Sequence, residues 1–180
     1  SSRTVTISGN TISALGLAGQ ANLVVAGINV ATWDDDAHIT ATIENNDLTG
    51  GGPGNGIETG SSEEFGNPAG EVDATISDNE VSGWQHGIWL GLCSNTVTIT
   101  GNTITNNVEA DSGIHIDADV DVSNIQAHCN NIEGNAGYGV YNGGTGVLDA
   151  TNNWWGDVSG PSGSYGTGDK VIAFFYFCPR

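Results

Sequence analysis

Basic residues are almost absent from this sequence: three Lys and Arg stand against 21 Asp and Glu in 180 residues, a formal net charge of −18. Phosphate groups are bound by Lys and Arg, so this balance argues against nucleic-acid partners. Methionine is absent, and the longest apolar run, residues 171–178, has the length of a strand rather than of a membrane span. We expect no nucleic-acid partner, no membrane insertion, and repulsion between copies unless calcium or low pH reduces it.

The number of cysteines is odd, because the sequence contains only Cys93, Cys129 and Cys178. In an oxidising compartment one of them must be free or bonded to another molecule. The sequence begins Ser1-Ser2-Arg3-Thr4, with neither Met nor an apolar leader, which is typical of a mature protein whose signal peptide has been removed. We therefore expect a secreted protein, extracellular or on the cell surface.

What the sequence does contain is a repeat. Six segments, of which residues 5–12 and 97–104 are examples, alternate apolar and polar residues, turn at a pair ending in Asn, and have an apolar residue two positions later. Alternation is typical of strands, and Gly, Asn and Asp are typical of corners. A second element of the form Gly-Ile-x-Val follows in five of the repeats. The shared asparagines are Asn10, Asn46, Asn79, Asn102, Asn130 and Asn153.

This pattern predicts an all-β fold, a right-handed parallel β-helix (β-solenoid) of about six coils with loop insertions. We expect residues 1–180 to form one domain, with the coils over 4–161 and a C-terminal apolar strand, 168–180, that caps the helix or docks on a neighbour. Aliphatic side chains should stack inside, coil on coil. The six asparagines should form a structural ladder at one corner.

The last repeat carries a distinctive motif, residues 152–157 (Asn-Asn-Trp-Trp-Gly-Asp), followed by Ser159-Gly160-Pro161. With the Asn-x-Ile coils, it resembles the parallel β-helix repeat proteins of archaeal and bacterial surfaces and of the periplasm. The resemblance covers residues 4–161 and implies the fold and a location outside the cytoplasm. It implies little about function, because the scaffold carries lyases, glycosidases, adhesins and lattice proteins.

An outward-facing column follows from the second element, since the residue after each Ile should face out. Trp89, His115 and Tyr141 would lie on adjacent coils of this column, which begins with Asn29 and Glu58. Such residues favour a protein interface, with stacking on sugar rings as the alternative. The C-terminal run adds four aromatic residues to the predicted contact surface: Phe174, Phe175, Tyr176 and Phe177.

Two acidic clusters, one of Asp34, Asp35 and Asp36 and the other beginning at Asp117, are candidate metal sites. Asp117, Asp119 and Asp121 would share one side of a strand if the strand continued, which suggests calcium. Neither cluster matches the calcium-binding nonapeptide Gly-Gly-x-Gly-x-Asp or an EF-hand loop, so solvated loop charges are the simpler interpretation. We expect no other cofactor.

An enzyme that cleaves acidic polysaccharides needs Arg or Lys to bind the uronate. The sequence has only Arg3, Lys170 and Arg180, with no basic residue between 4 and 169. The faint match of Gln85-His86-Gly87 to polygalacturonases does not compensate for this, and we expect no catalysis.

The leading hypothesis is a self-assembling structural subunit of an extracellular sheath, filament or surface lattice, with copies of itself as partners. Cys178 is the first candidate for an intersubunit disulfide, because Cys93 and Cys129 should lie on different sides of the coil. A carbohydrate-binding or adhesin module, with glycans as partners, is the alternative. A polysaccharide-degrading enzyme of the β-helix type is the third.

Overall fold

The computed structural model describes residues 1–13, 26–60, 69–108, 112–118, 120–162 and 166–172, which form parallel strands numbered β1 to β15 in chain order. The first sheet contains β1 (Ser2–Ser8), β4 (Trp33–Glu44), β6 (Ala69–Ser77), β8 (Ser94–Thr100) and β11 (Ile125–His128). The second contains β2 (Thr11–Ser13), β3 (Ala26–Val30), β5 (Asp47–Thr59), β7 (Glu80–Leu90), β9 (Thr103–Thr105), β10 (Ser112–Ile116), β12 (Asn131–Glu133), β13 (Tyr138–Asn142), β14 (Pro161–Ser162) and β15 (Gly168–Ile172). A short 3₁₀ turn, Val122–Asn124, precedes β11.

The strands stack in register from one coil to the next. In the first sheet Ile43 pairs with Ile7 on one side and Ile76 on the other, and Ile76 pairs in turn with Ile99. Ile43, Ile76 and Ile99 are fully buried. Coils about 4.8 Å apart therefore stack the same residue type over itself, and each such side chain stabilises the fold by about 1.5–3 kcal/mol. The predicted fold class, an all-β parallel β-helix, is confirmed.

One corner of every coil has a residue with positive φ directly before the repeated asparagine. The left-handed conformation is easiest for Gly and is tolerated by Asn and Asp, which explains why these residue types recur there. Cys129 is not one of these residue types, but its backbone has the same left-handed conformation. The six φ angles are 67° at Gly9, 54° at Asn45, 55° at Asp78, 69° at Gly101, 56° at Cys129 and 61° at Asn152.

The six asparagines are hydrogen-bonded in series along that corner. Asn46 shows the pattern: its backbone N–H and its Nδ2 both donate to Oδ1 of Asn79, at 3.0 and 2.9 Å. The same Nδ2 also donates to the carbonyl oxygens of Ile7 and Glu44. Each internal asparagine thus ties its own corner to the coils on both sides. The series runs Asn10, Asn46, Asn79, Asn102, Asn130, Asn153.

A second, shorter ladder lies at another corner and was missed in the sequence. Asn107 donates from its backbone N–H and Nδ2 to Oδ1 of Asn135, and Asn135 donates in the same way to Oδ2 of Asp169. The other carboxylate oxygen, Oδ1, accepts from the N–H of Gly134. Asp169 therefore ends this ladder and fastens β15 to the coils. The signal was present, because Asn107 and Asn135 follow Asn102 and Asn130 by the same five positions.

The two ends of the stack differ. Val5, Ile7 and Ile12 of the first coil are only partly buried, whereas Leu148 and Trp155 of the last coil are buried. The two tryptophans of the terminal motif therefore differ in exposure: Trp155 is buried, whereas Trp154 is 47% exposed. The predicted C-terminal strand begins as β15, while residues 173–180, with Phe174, Phe175, Tyr176, Phe177 and Cys178, lie outside the described residues.

Candidate functional site

The glycines of the second sheet explain how its outer face is built. A Cβ on Gly56 would lie 2.4 Å from Cγ1 of Val81, and one on Gly87 would lie 2.7 Å from Cγ2 of Ile104. These glycines therefore face the core, where no side chain fits, and the buried Ile that follows each faces the core as well. The residue before each Gly and the residue after each Ile consequently face outward, three positions apart.

These outward residues form a surface that we call the outer strip. Its side chains meet in pairs: Nδ2 of Asn55 donates to Oε2 of Glu58 at 2.8 Å, and the rings of Tyr138 and Tyr141 are 5.5 Å apart. The strip thus has two columns rather than the single one predicted. The pairs, in coil order, are Ala26 and Asn29, Asn55 and Glu58, His86 and Trp89, Ser112 and His115, Tyr138 and Tyr141.

The predicted aromatic column is in register, with Trp89 beside His115 and His115 beside Tyr141. We expected the column to be exposed, but Trp89 is only 8% exposed. Glu58 on the preceding coil and His115 on the following coil flank Trp89, each about 4.8 Å away along the stack. His86 lies beside Trp89 on the same coil. Trp89 therefore lacks the exposed surface that the predicted contact role requires.

Glu58 is a buried carboxylate on this outer face, only 6% exposed. Asn55 donates to Oε2 and Asn29 donates to Oε1, both at 2.8 Å. Burial raises the pKa of Glu58 above its ordinary value of 4.5, and the two amide hydrogen bonds offset only part of that rise. Sequence reasoning placed both Asn29 and Glu58 in the column but missed Asn55, which belongs to the second column of the outer strip.

Aromatic rings continue the strip over the next coils. The His86 and His115 ring centroids are 4.5 Å apart, and His115 stacks on Tyr141 at 4.9 Å with 24° between the planes. Nζ of Lys170, on β15, lies 4.7 Å from the centroid of the Tyr138 ring, a cation–π distance. Tyr138 and Lys170 were not among the predicted site residues.

A cavity of about 380 Å³ opens beside these rings. Its volume is at the lower end of the range for small-molecule sites, about 300–1,000 Å³. Oγ of Ser112, which pairs with Tyr138 across the coils, is buried and has no hydrogen-bond partner in the described part of the chain. The cavity is lined by His115, Asp117, Ala118, Tyr138, Tyr141 and Gly143.

The strand on which the predicted calcium cluster depends ends before Asp117. β10 ends at Ile116, so Asp117 and Asp121 do not continue one strand face. Oδ1 of Asp117 accepts from the N–H of Ala118, whereas Oδ1 of Asp121 accepts from the N–H of Ser123 and starts the 3₁₀ turn. Asp119 lies outside the described residues. Nowhere in the described ranges do three or more His, Cys, Asp or Glu form a group that could hold a metal.

Cys93 and Cys129 are both free thiols, and Cys129 is exposed. Burial raises the pKa of the Cys93 thiol, which makes it a weaker nucleophile at neutral pH. The intersubunit bond predicted through Cys178 stays a prediction.

The stacked coils, the asparagine ladder and the outer strip define a parallel β-helix repeat protein. Residues 1–156 match the family described as periplasmic copper-binding protein (NosD), and the chain belongs to this family. No curated protein and no solved structure matches the chain. The family is periplasmic by its description, so the predicted location outside the cytoplasm is confirmed. In the described residues, no helix has the length and apolar character to cross a membrane.

Proposed function

We propose that this protein is a non-catalytic, extracytoplasmic binding module, and that its ligand is a sugar residue of a neutral glycan held in the cavity of the outer strip. The observation that carries the proposal is the cavity itself: two tyrosines, a histidine and a carboxylate line one concave site. Sugars present apolar ring faces and many hydroxyl groups. Aromatic side chains with polar tips satisfy both.

The charge of the protein favours a neutral ligand. Asp117 lines the cavity and can accept hydrogen bonds from sugar hydroxyls. The same carboxylate, on a chain of net charge −18, repels uronates and sulfated sugars. The ammonium of Lys170, which lies against the Tyr138 ring, offsets only a small part of that negative charge.

The shape of the site also favours a glycan over the protein interface that the sequence favours. Trp89 would be the strongest anchor of a protein interface, but it is buried. What stays accessible is the concave region around His115, Tyr138 and Tyr141. Concave sites with a few polar groups suit small rings.

The family to which the chain belongs is described as copper-binding. Copper is bound chiefly by His, Cys and Met, and the sequence has no Met. His86 and His115 supply two adjacent imidazoles, but both also interact with other groups, and no third His, Cys, Asp or Glu joins them among the described residues. These residues do not fit a resident copper ion, so the proposal includes no copper.

The test is equilibrium binding of neutral mono- to hexasaccharides of glucose, mannose and galactose, measured by calorimetry. We expect at least one series to bind, and Tyr141→Ala to weaken it about tenfold or more, equivalent to 1.4 kcal/mol. Trp33→Ala is the matched control, because Trp33 is 57% exposed and is not part of the cavity. Equal losses in both variants, or no binding by the wild type, would refute the proposal.

Self-assembly into a sheath, filament or surface lattice is the second candidate. The observation that favours it is the exposure of large apolar side chains near the last coil, where Trp154 is 47% and Val158 is 92% exposed. Exposed apolar groups favour contact with another chain. Electron microscopy with calcium, and electrophoresis with and without reductant, test it; dispersed monomers and a single monomer band would count against it.

A further inference from the structure

Trp154 is an exposed residue of the terminal motif, and the cavity is lined by other residues. Its backbone belongs to the stack: its N–H donates to the carbonyl oxygen of Asn130, and its own carbonyl oxygen accepts from the N–H of Ile132, both at 2.9 Å. These bonds place it beside Asn131 on the neighbouring coil. The indole therefore stands at a position that the fold fixes, on the outer face of β12.

A carboxylate orients the indole. Oε2 of Glu133 accepts from Nε1 of Trp154 at 3.4 Å, and Oε1 accepts from Nδ2 of Asn131 at 3.1 Å. Glu133 thus joins the ring and the amide in one group, and side chains that are already ordered lose less entropy when a ligand binds. A Cβ on Gly156 would lie only 3.0 Å from Cβ of Glu133. Because glycine has no side chain, the space beside the carboxylate stays open.

The surroundings of Trp154 are polar and carry no positive charge on the two nearest strands. Thr103 pairs with Asn131 and Thr105 pairs with Glu133, and β9 and β12 contain no Lys or Arg. The core of a protein interface is depleted of charged residues. A sugar instead presents an apolar ring face to an indole and hydroxyl groups to a carboxylate and an amide. A neutral sugar therefore fits this surface better than an apolar protein partner or an acidic sugar.

We infer that Trp154, Glu133 and Asn131 form a second binding site, for one residue of a neutral sugar, separate from the cavity of the outer strip. The indole stacks on the sugar ring, and the carboxylate and the amide bond its hydroxyl groups. The corner at Gly134 and Asn135 separates β12 from β13, which carries the tyrosines of the cavity. The inference goes beyond the proposed function and does not depend on it. Two sites on one protein raise its avidity for a glycan surface.

The experiment is calorimetry with neutral disaccharides of glucose, mannose and galactose, chosen so that a long chain does not bridge the two sites. We expect the wild type to bind two molecules per protein and Tyr141→Ala, which weakens the cavity, to keep one site. Adding Trp154→Ala in that background should weaken the remaining site about tenfold or more. Adding Trp33→Ala instead, which removes an exposed tryptophan of β4, should leave it unchanged.

The number of sites separates this inference from the proposed function. A single site in the wild type that Tyr141→Ala removes would overturn the second site and leave the cavity proposal intact. A single site that Trp154→Ala removes and Tyr141→Ala does not would support the second site and refute the cavity. No binding by the wild type would refute both.

A conservative variant tests ring stacking. Trp154→Phe keeps an aromatic face but loses the N–H that Glu133 accepts, so the second site should weaken by less, about threefold. Equal losses in the Phe and Ala variants, with circular dichroism showing both folded, would contradict stacking.

Trp154 also favours contact between copies, so sedimentation velocity accompanies the calorimetry. Wild-type oligomers that Trp154→Ala disperses, with sugar binding unchanged, would assign the residue to self-assembly and overturn the inference. We expect Trp154→Ala to change sugar binding and to leave the sedimentation coefficient unchanged.

Discussion

Replacing Asn79 with Ala removes a side chain that joins three coils. Its Oδ1 accepts from the backbone N–H and Nδ2 of Asn46, and its Nδ2 donates to the carbonyl oxygens of Ile43 and Ser77 and to Oδ1 of Asn102. Asn79 is 1% exposed, so water does not replace these partners. A buried polar group left unpaired costs about 1–3 kcal/mol, and several are left here. We expect a loss of about 3–5 kcal/mol in the free energy of unfolding.

Asn10→Ala is the matched control, because Asn10 is the exposed first member of the same ladder. Its Nδ2 donates only to the carbonyl oxygen of Ser8 and to Oδ1 of Asn46 in the described structure, and water can take its place. We expect a loss below about 1 kcal/mol. Urea unfolding followed by circular dichroism and tryptophan fluorescence measures both variants. A loss in Asn79→Ala no larger than in Asn10→Ala would refute the reasoning that the buried ladder stabilises the stack.

Three further substitutions test other parts of the structure. Burial raises the pKa of Glu58 in the folded protein, so the folded state binds this proton more tightly than the unfolded state, and the free energy of unfolding falls as pH rises from 4.5 through the folded pKa. Glu58→Gln should remove this fall. Urea titrations from pH 4 to about pH 7 measure it. Cys129→Gly should stabilise the protein by about 1 kcal/mol, because φ is 56° at this position and glycine adopts that conformation without strain. The gain is measured as an increase in the urea midpoint of unfolding. Asp169→Ala should expose β15 to limited proteolysis, because three hydrogen bonds to Gly134 and Asn135 are lost.

Each of these outcomes has a clear opposite. An unchanged pH profile in Glu58→Gln would mean that the carboxylate is not held in the buried site. A destabilised Cys129→Gly would show that the side chain contributes packing that outweighs the backbone conformation. For Asp169, a control with Asn keeps one acceptor oxygen and should give intermediate protection; equal cleavage of the wild type and the Ala variant would contradict the fastening of β15.

The coil register could be predicted from the sequence because it depends on period-two alternation and on the corner residues, both of which are local. The stacking of Ile7, Ile43 and Ile76 follows from aligning the asparagines alone. The ladder follows from the same alignment, since a residue that recurs once per coil must lie over its equivalents.

The burial of outward residues could not be predicted in the same way. Alternation assigns Trp89 and Glu58 to the outer face, but exposure depends on what lies beside that face in three dimensions. The consecutive inward positions of Gly56 and Ile57 break the alternation, and this brings residues three positions apart together. Tyr138 belongs to the site because the same break in alternation occurs in its strand, and strict period-two alternation does not predict it.

Lys170 and Asp169 were outside the predicted site for a related reason. They belong to a strand that adds to the stack without repeating the motif of the earlier coils, so no alignment of repeats places them. Their positions beside Tyr138 and Asn135 depend on the register of β15 against β13. That register is a tertiary feature.

A crystal structure of the protein with a bound neutral disaccharide tests the central claim most directly. We predict density for the sugar in the cavity, with a hydroxyl on the carboxylate of Asp117 and ring contacts to Tyr138 and Tyr141. Sugar bound to a different face, or a fold in which successive ladder asparagines such as Asn79 and Asn102 are not hydrogen-bonded, would contradict it.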